Sequence, residues 1–405
     1  MSTAAQAEPV ADGLGVFVRR QWDALKSGDV GPLPVIVALI VITIFFTSKA
    51  SVFFTAVNFN NLLVQTAGTT LIAIGVVFVL LIGEIDLSIG YVSGIGGVVV
   101  AELQQSGTNH NFGGIGAILL ALAAGAAIGI LQGSVIALVG VPSFVVTLAG
   151  LLVWQGVILR ALGTEGVIGI QNHTVNKIAS YYFSDAWGWL IAAVIAISYA
   201  GIVIGSVIRR RRAGLAASSL TVPIVKVVLV AVGAFGVVAI CNHDRGVPFA
   251  AVLIVVMVIF WSFIAQRTAF GRHVYAVGGN AEAARRAGIN VARIRIIVFL
   301  ISGLMAAMGG IVFAARLNSV DLTAGSGTVL LDAISAAVIG GTSLFGGRGY
   351  VRSALLGALV ISTIENGIDL VGYGDATKDI VTGLILLAAV TLDTVSRRRL
   401  AASGR

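Results

Sequence analysis

The sequence predicts an all-α protein that crosses a membrane many times, and three observations carry that expectation. Of the 405 residues 58% are hydrophobic and only 11% charged, whereas a soluble globular chain carries about 25% charged residues. The apolar residues fall into about twelve runs (10 to 12 spans), each close to the ~20 residues needed to cross ~30 Å of hydrocarbon. Basic residues flank those runs, where orientation signals sit, so the net charge of +8 and the pI near 10 read as topology and not as a nucleic-acid surface. No separate soluble domain fits, because the longest polar stretches are residues 1–32, the loop around 162–186 and the segment 271–295.

Taken in order, Leu14 to Lys26 repeats Leu14, Val18, Trp22 and Leu25 at helical spacing, with Arg19, Arg20 and Lys26 elsewhere on the wheel. That pattern predicts an amphipathic interface helix in a cytoplasmic tail of residues 1–32. Pro32 and Pro34 precede the first span, 33–54, and further spans are expected at 62–82, 87–104, 113–139, 142–161, 187–208, 222–241, 248–266, 294–315, 328–341, 352–371 and 379–395. Together they make a membrane domain of 33–395, followed by a basic tail, 396–405. The run at 328–341 is short and ends in glycine, which predicts a broken or re-entrant element buried among its neighbours. With the N-terminus inside, 20 lysines and arginines fall on the inner side and six on the outer. The bias places both termini and the 271–295 segment in the cytoplasm.

That segment, GRHVYAVGGNAEAARRAGINVARIR, is a polar island between two apolar runs. Gly278 and Gly279 break the chain, Asn280 is an N-cap, Glu282 sits in the first turn, Arg285 and Arg286 sit in the last, and Gly288 is the stop. One short helix, Ala281 to Ala287, follows. Seven residues are marginal alone in water, so the helix needs another surface, which points to a connector or a docking helix for a cytoplasmic partner.

Within the spans, Gly125, Gly129 and Gly133, and likewise Gly90 and Gly94, repeat at four-residue spacing, which lets backbones approach. Ionisable residues are costly in hydrocarbon and so face water, a partner or a pathway, and Glu84, Asp86 and Asp393 also read as solvated loop or capping residues. Glu84 and Asp86 stand between two spans, Asp332 opens the short element, Glu365 and Asp369 share a helix face with Asn366, and Asp393 lies near the end of the last span. Cys241 is alone, and the histidines 110, 173, 243 and 273 sit far apart, so neither a disulfide nor a metal site is expected. No lysine lies in GxxxxGK[ST], and neither HExxH nor GxSxG occurs. The chain is therefore expected to be no enzyme, with no ATPase site and no cofactor of its own. Asn172-His173-Thr174 matches a glycosylation sequon.

Five ordered blocks carry a resemblance. GEIDLSIG at 83–90, VPSFVVTLAG at 141–150, VGGNAEAARRAGIN at 277–290, LDAISAAVIGGTSLFGGRG at 331–349 and NGIDLVG at 366–372 resemble the membrane subunits of bacterial ABC importers for simple sugars, the ribose, galactose and xylose permease family. The extra pair of spans around 186–241, the N-terminal interface helix and the NGIDLVG ending are similar to the longer, xylose-type members. The family often has glycine where Glu84 stands, whereas Asp86 and Ser88 follow its pattern. The resemblance implies a type II permease bundle like that of the cobalamin importer, in the bacterial cell membrane. It also implies a homodimer of permease chains, a cytoplasmic subunit that binds ATP, and an extracytoplasmic sugar-binding protein, with xylose the first choice of sugar. The coupling segment carried over is Gly278, Gly279, Asn280, Glu282, Ala283, Ala284, Arg285, Arg286, Ala287 and Gly288. A polar, weakly binding pathway would then be lined by Gln65, Thr66, Asp86, Ser88, Ser93, Ser143, Ser335, Glu365 and Asn366. Three alternatives stand beside it: an ion-coupled transporter using Glu365 and Asp369, an ABC permease for branched-chain amino acids, and a membrane scaffold.

Overall fold

The computed structural model describes residues 33–105, 112–213 and 220–402. The interface helix expected at 14–26, His110 and Arg405 lie outside these residues, and the side chains of Asp393 and Arg397 to Arg399 are not described either. Every expected apolar run is helical. Among the described residues eight helices are long and apolar enough to cross a membrane, so the chain is an all-α polytopic membrane protein.

The helices of the larger unit, residues 32–182 and 248–398, begin with α1 (Leu33–Lys49) and α2 (Ala56–Leu81). α1 stops short of the expected residue 54 because the chain turns there, with the Phe53 amide donating to the Ala50 carbonyl at 3.0 Å. α2 starts before the expected residue 62, its first turn capped by Thr55 Oγ1, which accepts from the Asn58 amide. Polar character had excluded the asparagines of this turn from the span. Asn58 is buried because it exchanges two side-chain hydrogen bonds, of 2.8 and 3.0 Å, with Asn366, which removes the cost of an unpaired amide.

Next come α3 (Ile89–Glu102), α4 (Gly114–Ser134, ending in a π-turn through Val139), α5 (Ser143–Leu162), strand β1 (Val167–Gly169) and α6 (His173–Ser180). The sequon asparagine Asn172 caps α6, accepting from the Thr174 amide at 2.9 Å. α4 packs backbone to backbone on α12 (Val291–Leu317). The glycine ladder is the reason: a methyl added at Gly125 would strike the Gly303 carbonyl, and one at Gly133 would lie 2.9 Å from Phe299 Cβ. α2 and α12 form the centre of the unit, with Leu71, Phe78, Phe299 and Met305 fully buried.

The second ladder does something the sequence did not predict. After α12 the chain turns at Asn318 (φ 53°), forms strand β2 (Ser319–Asp321) antiparallel to β1, and continues without helix along α3. A Cβ at Gly97 would stand 3.3 Å from Val320 Cγ2, and one at Gly90 2.7 Å from the Gly325 carbonyl oxygen. Gly90 and Gly94 therefore admit a run of turns at Ala324 and Gly325, not a second helix. Only then does α13 (Val329–Ile339) begin. Its 11 residues rise about 16 Å, half a span, and most of them are buried. α14 (Val351–Val371) and α15 (Asp375–Ala402) complete the unit, preceded by α9 (Phe249–Arg267) and the short helices of the polar segment.

The second unit, built on residues 183–247, is the helical pair α7 (Asp185–Arg212) and α8 (Thr221–Asn242). Trp189 stacks on Phe235, with ring centroids 6.0 Å apart. Ile197, Ile202, Leu229 and Val232 are all more than 60% exposed, as expected of a hairpin whose solvent is lipid.

Candidate functional site

The polar segment folds as two helices, not one. α10 (Ala269–Gly279) is an amphipathic helix whose first turn is capped by Thr268 Oγ1, accepting from the Gly271 amide at 3.2 Å. It buries Gly271, Val274 and Val277 and leaves Arg272 and His273 outside. Gly278 and Gly279 end α10 instead of breaking the chain. Gly278 is required there, since any Cβ would run into the Leu81 carbonyl and come within 2.7 Å of the Gly347 amide.

α11 (Ala281–Arg286) is the expected short helix. Asn280 caps it, accepting from the Ala283 amide at 2.9 Å. It closes in a Schellman turn: the Gly288 amide donates to the Arg285 carbonyl, the Ile289 amide donates to the Ala284 carbonyl, and Gly288 takes φ 85°. Glu282 pairs with Arg285 at 3.4 Å and Arg286 at 3.1 Å, but all three side chains are more than half exposed, so the pairs contribute about 0–1 kcal/mol. Ala284 is the single buried residue of α11. The helix therefore presents Glu282, Ala283, Arg285, Arg286 and Ala287 outward, a small-residue surface carrying two guanidinium groups. Asn290 then caps α12 through the Arg293 amide at 2.9 Å. Three side-chain caps in succession fix the angles of this segment.

The segment rests on the turn between α2 and α3. Gly83 (φ 76°) lets the chain leave α2. The Gly347 amide donates to the Leu81 carbonyl at 2.9 Å, and the Tyr275 hydroxyl donates to the Gly349 carbonyl at 2.7 Å. Burial pushes the Tyr275 hydroxyl up to about 12, Tyr350 adding to the shift and Arg352 opposing it, so the hydroxyl keeps its proton and remains a donor. Glu84 Oε1 lies 2.9 Å from Arg295 Nη2. Two residues on, the buried Asp86 accepts from the Ser88 amide (3.0 Å), the Ser88 hydroxyl (2.7 Å) and the Ser302 hydroxyl of α12 (2.9 Å). Neutral donors replace the water that a buried carboxylate loses. The Gln132 amide stands 3.1 Å from Ser88 Oγ, and Ser143 Oγ accepts from the Ile85 amide at 3.4 Å.

The residues expected to line one pathway fall into separate groups. Asp86, Ser88 and Ser143 meet at this turn. Asn366 sits with Asn58 near the start of α2, about 35 Å away along that helix. Glu365 touches Asp332 of α13 and lies in the field of Arg316. Asp369 holds Lys378, which also lies 3.3 Å from Asp375. Ser93 spends its hydroxyl on the Gly90 carbonyl of its own helix (2.6 Å), Ser335 is buried without a hydrogen-bond partner among the described residues, and Gln65 is half-buried on α2. Sequence reasoning missed Ser302, Gln132 and Asn58 as partners. Their only signal was a lone polar side chain in an apolar helix.

The family model described as branched-chain amino acid transport system, permease component, matches residues 58–390. The xylose transport system permease protein of Escherichia coli (strain K12) is 36% identical over 398 residues, 98% of this chain and 100% of that protein. Its namesake from Haemophilus influenzae is 36% identical over 381 residues, 93% of this chain and 99% of that protein. The ribose import permease protein of Escherichia coli (strain K12) is 32% identical over 358 residues, 88% and 92% of the two chains. No solved structure matches. With its helices in the expected order and the match running through all of them but α1, the chain belongs to the membrane-permease family described as branched-chain amino acid transport system permease components.

Proposed function

We propose that this chain is the membrane-spanning permease subunit of an ATP-driven importer for a simple sugar, with xylose as the substrate, in the bacterial cell membrane. The observation that carries this reading is the similarity to xylose permeases over 98% of the chain. The ribose relative supports the same substrate class. The family description names branched-chain amino acids, but these full-length relatives are named for sugars.

In this reading twelve membrane elements, three of them short (Leu33–Lys49, Ile89–Glu102 and Val329–Ile339), run from a cytoplasmic N-terminus to a cytoplasmic C-terminus. The 20-to-6 distribution of basic residues supports that orientation. Two copies enclose the pathway, and a sugar-binding protein delivers ligand from outside. A separate ATP-binding subunit docks on α11 through Ala283, Ala287 and the Arg285–Arg286 pair, while Asn280, Gly288 and Gly278–Gly279 set the helix's angle. Closing of the ATP-binding subunits displaces α11, and the bundle shifts its opening between the two sides, driven by contacts that differ in the two states. Gln65, Ser93, Ser335, Glu365 and Asn366 are assigned to the route from the outer half, and Asp86, Ser88 and Ser143 to its inner end.

The test is uptake into proteoliposomes holding the chain with its ATP-binding and sugar-binding proteins, using labelled xylose, ribose and leucine. ATP-dependent xylose uptake is expected. Uptake by the lone chain under a proton or sodium gradient, or ATP-driven uptake of leucine alone, would overturn the reading.

A further inference from the structure

We infer that the Glu84–Arg295 ion pair is the joint through which displacement of α11 reaches the break between α2 and α3. The inference rests on the permease reading and names two positioning residues for it. α11 and α12 are joined by only Ala287 to Asn290, and the Schellman turn and the Asn290 cap fix all of that connection. A push on α11 therefore moves the first turns of α12 with it. Those turns hold the 82–88 turn twice. Arg295 takes Glu84 at 2.9 Å, and Ser302, about two helical turns further on the same face, takes Asp86 at 2.9 Å. On its other side the turn is clamped by Leu81, against Gly278 of α10 and Gly347 of the loop after α13. The break before α3 is thus gripped by the helix before α11 and by the helix after it.

The two grips differ. Asp86 is locked by three neutral donors within the bundle, as expected of a fixed anchor. The Glu84 and Arg295 side chains are 15% and 29% exposed, at the edge of the bundle facing the polar segment. There an ion pair has partial shelter from water, and neither charge is easily left alone. It ties two elements that the sequence holds 211 positions apart. Glu84 and Arg295 move as one body with α12, and the turn they hold shifts the start of α3 and, through Leu81, the loop after α13.

The test uses the whole importer in proteoliposomes with labelled xylose as probe, and with ATP hydrolysis and thermal melting measured alongside. Glu84→Gln and Arg295→Gln are each expected to lower xylose uptake per ATP hydrolysed about tenfold while hydrolysis continues. The charge exchange Glu84→Arg with Arg295→Glu is expected to recover uptake to within about threefold of wild type. A second variant, Glu84→Cys with Arg295→Cys in a Cys241→Ser background, is bridged by a short bifunctional methanethiosulfonate reagent, because two cysteines are shorter than the glutamate and arginine they replace and a direct disulfide needs Cα atoms within about 7 Å. Uptake should be present when the bridge is in place and low when it is reduced away, and this arm decides where a single variant fails to insert. Unchanged uptake in both glutamine variants, a parallel fall of uptake and hydrolysis that tracks melting, or loss of uptake on bridging would each overturn the inference. Failure of the wild-type assembly to import any sugar with ATP would overturn the permease reading instead, so the two failures are distinguishable.

Discussion

Glycines along α4 and α12 and glycines along α7 and α8 sit in equally apolar helices, yet they answer to different solvents. Gly125, Gly129, Gly303 and Gly310 have another backbone where a side chain would be, whereas Gly201, Gly205, Gly233 and Gly236 have nothing within 4 Å among the described residues. In the first region glycine is what brings α4 and α3 against α12, the helix that continues from α11. In the second it only forgoes a side chain that lipid would have accepted. Composition cannot separate the two, because both are simply glycine in a hydrophobic run. Spacing partly can: the four-residue repeat of Gly125, Gly129 and Gly133 marks a packed face, yet Gly201 and Gly205 share that spacing and meet no described residue.

The comparison can be broken experimentally. Gly129→Leu has the largest expected effect, because its Cβ alone would meet the Phe299 carbonyl and lie 2.9 Å from Leu300 Cα. Overpacking of that kind costs about 3 kcal/mol or more, and loss of monodisperse protein in detergent is the expected readout; a normal melting curve would contradict the packing. Gly278→Ala comes next. It should leave insertion intact but push α10 off Leu81 and Gly347, lowering ATP-driven uptake about tenfold, measured against an equal amount of inserted protein.

Smaller again is Asn58→Leu, which leaves the Asn366 amide buried and unpaired at a cost of about 1–3 kcal/mol. Adding Asn366→Leu should return part of that loss, and a thermal-melting double-mutant cycle would show strictly additive losses if the pair were not coupled. Gly233→Ala is the smallest. It should be neutral or raise stability by roughly 0.5–1 kcal/mol, and a drop in melting temperature would mean that the hairpin face is covered.

Much of this was legible in the residues. Apolar runs gave every helix except α6, α10 and α11, because hydrocarbon demands them, and Asn280, Gly288 and the Arg285–Arg286 pair marked α11, because capping is local chemistry. α10 was hidden: its pattern GRHVYAVGG has the composition of an exposed connector, and only tertiary contact shows that Val274 and Val277 are buried. The role of Gly278 was misplaced for the same reason, since its partners Leu81 and Gly347 are distant in sequence. The run of turns beside α3 gave no periodic signal, and Gly90 and Gly94 read as helix-packing glycines. The pathway residues were chosen by polarity, and polarity does not say which side chains meet. Asp86 and Asn366 proved to lie near opposite ends of α2, each satisfied by a partner, Ser302 or Asn58, that had not been weighed.

The central claim is that α11 faces the cytoplasm, where a separate motor can reach it. Cys241 is buried, so an Ala283→Cys chain in a Cys241→Ser background offers one accessible thiol for a membrane-impermeant reagent. The account predicts no labelling on intact cells and strong labelling in inverted membrane vesicles, reduced when the ATP-binding subunit is present. Labelling of Ala283→Cys on intact cells would contradict it.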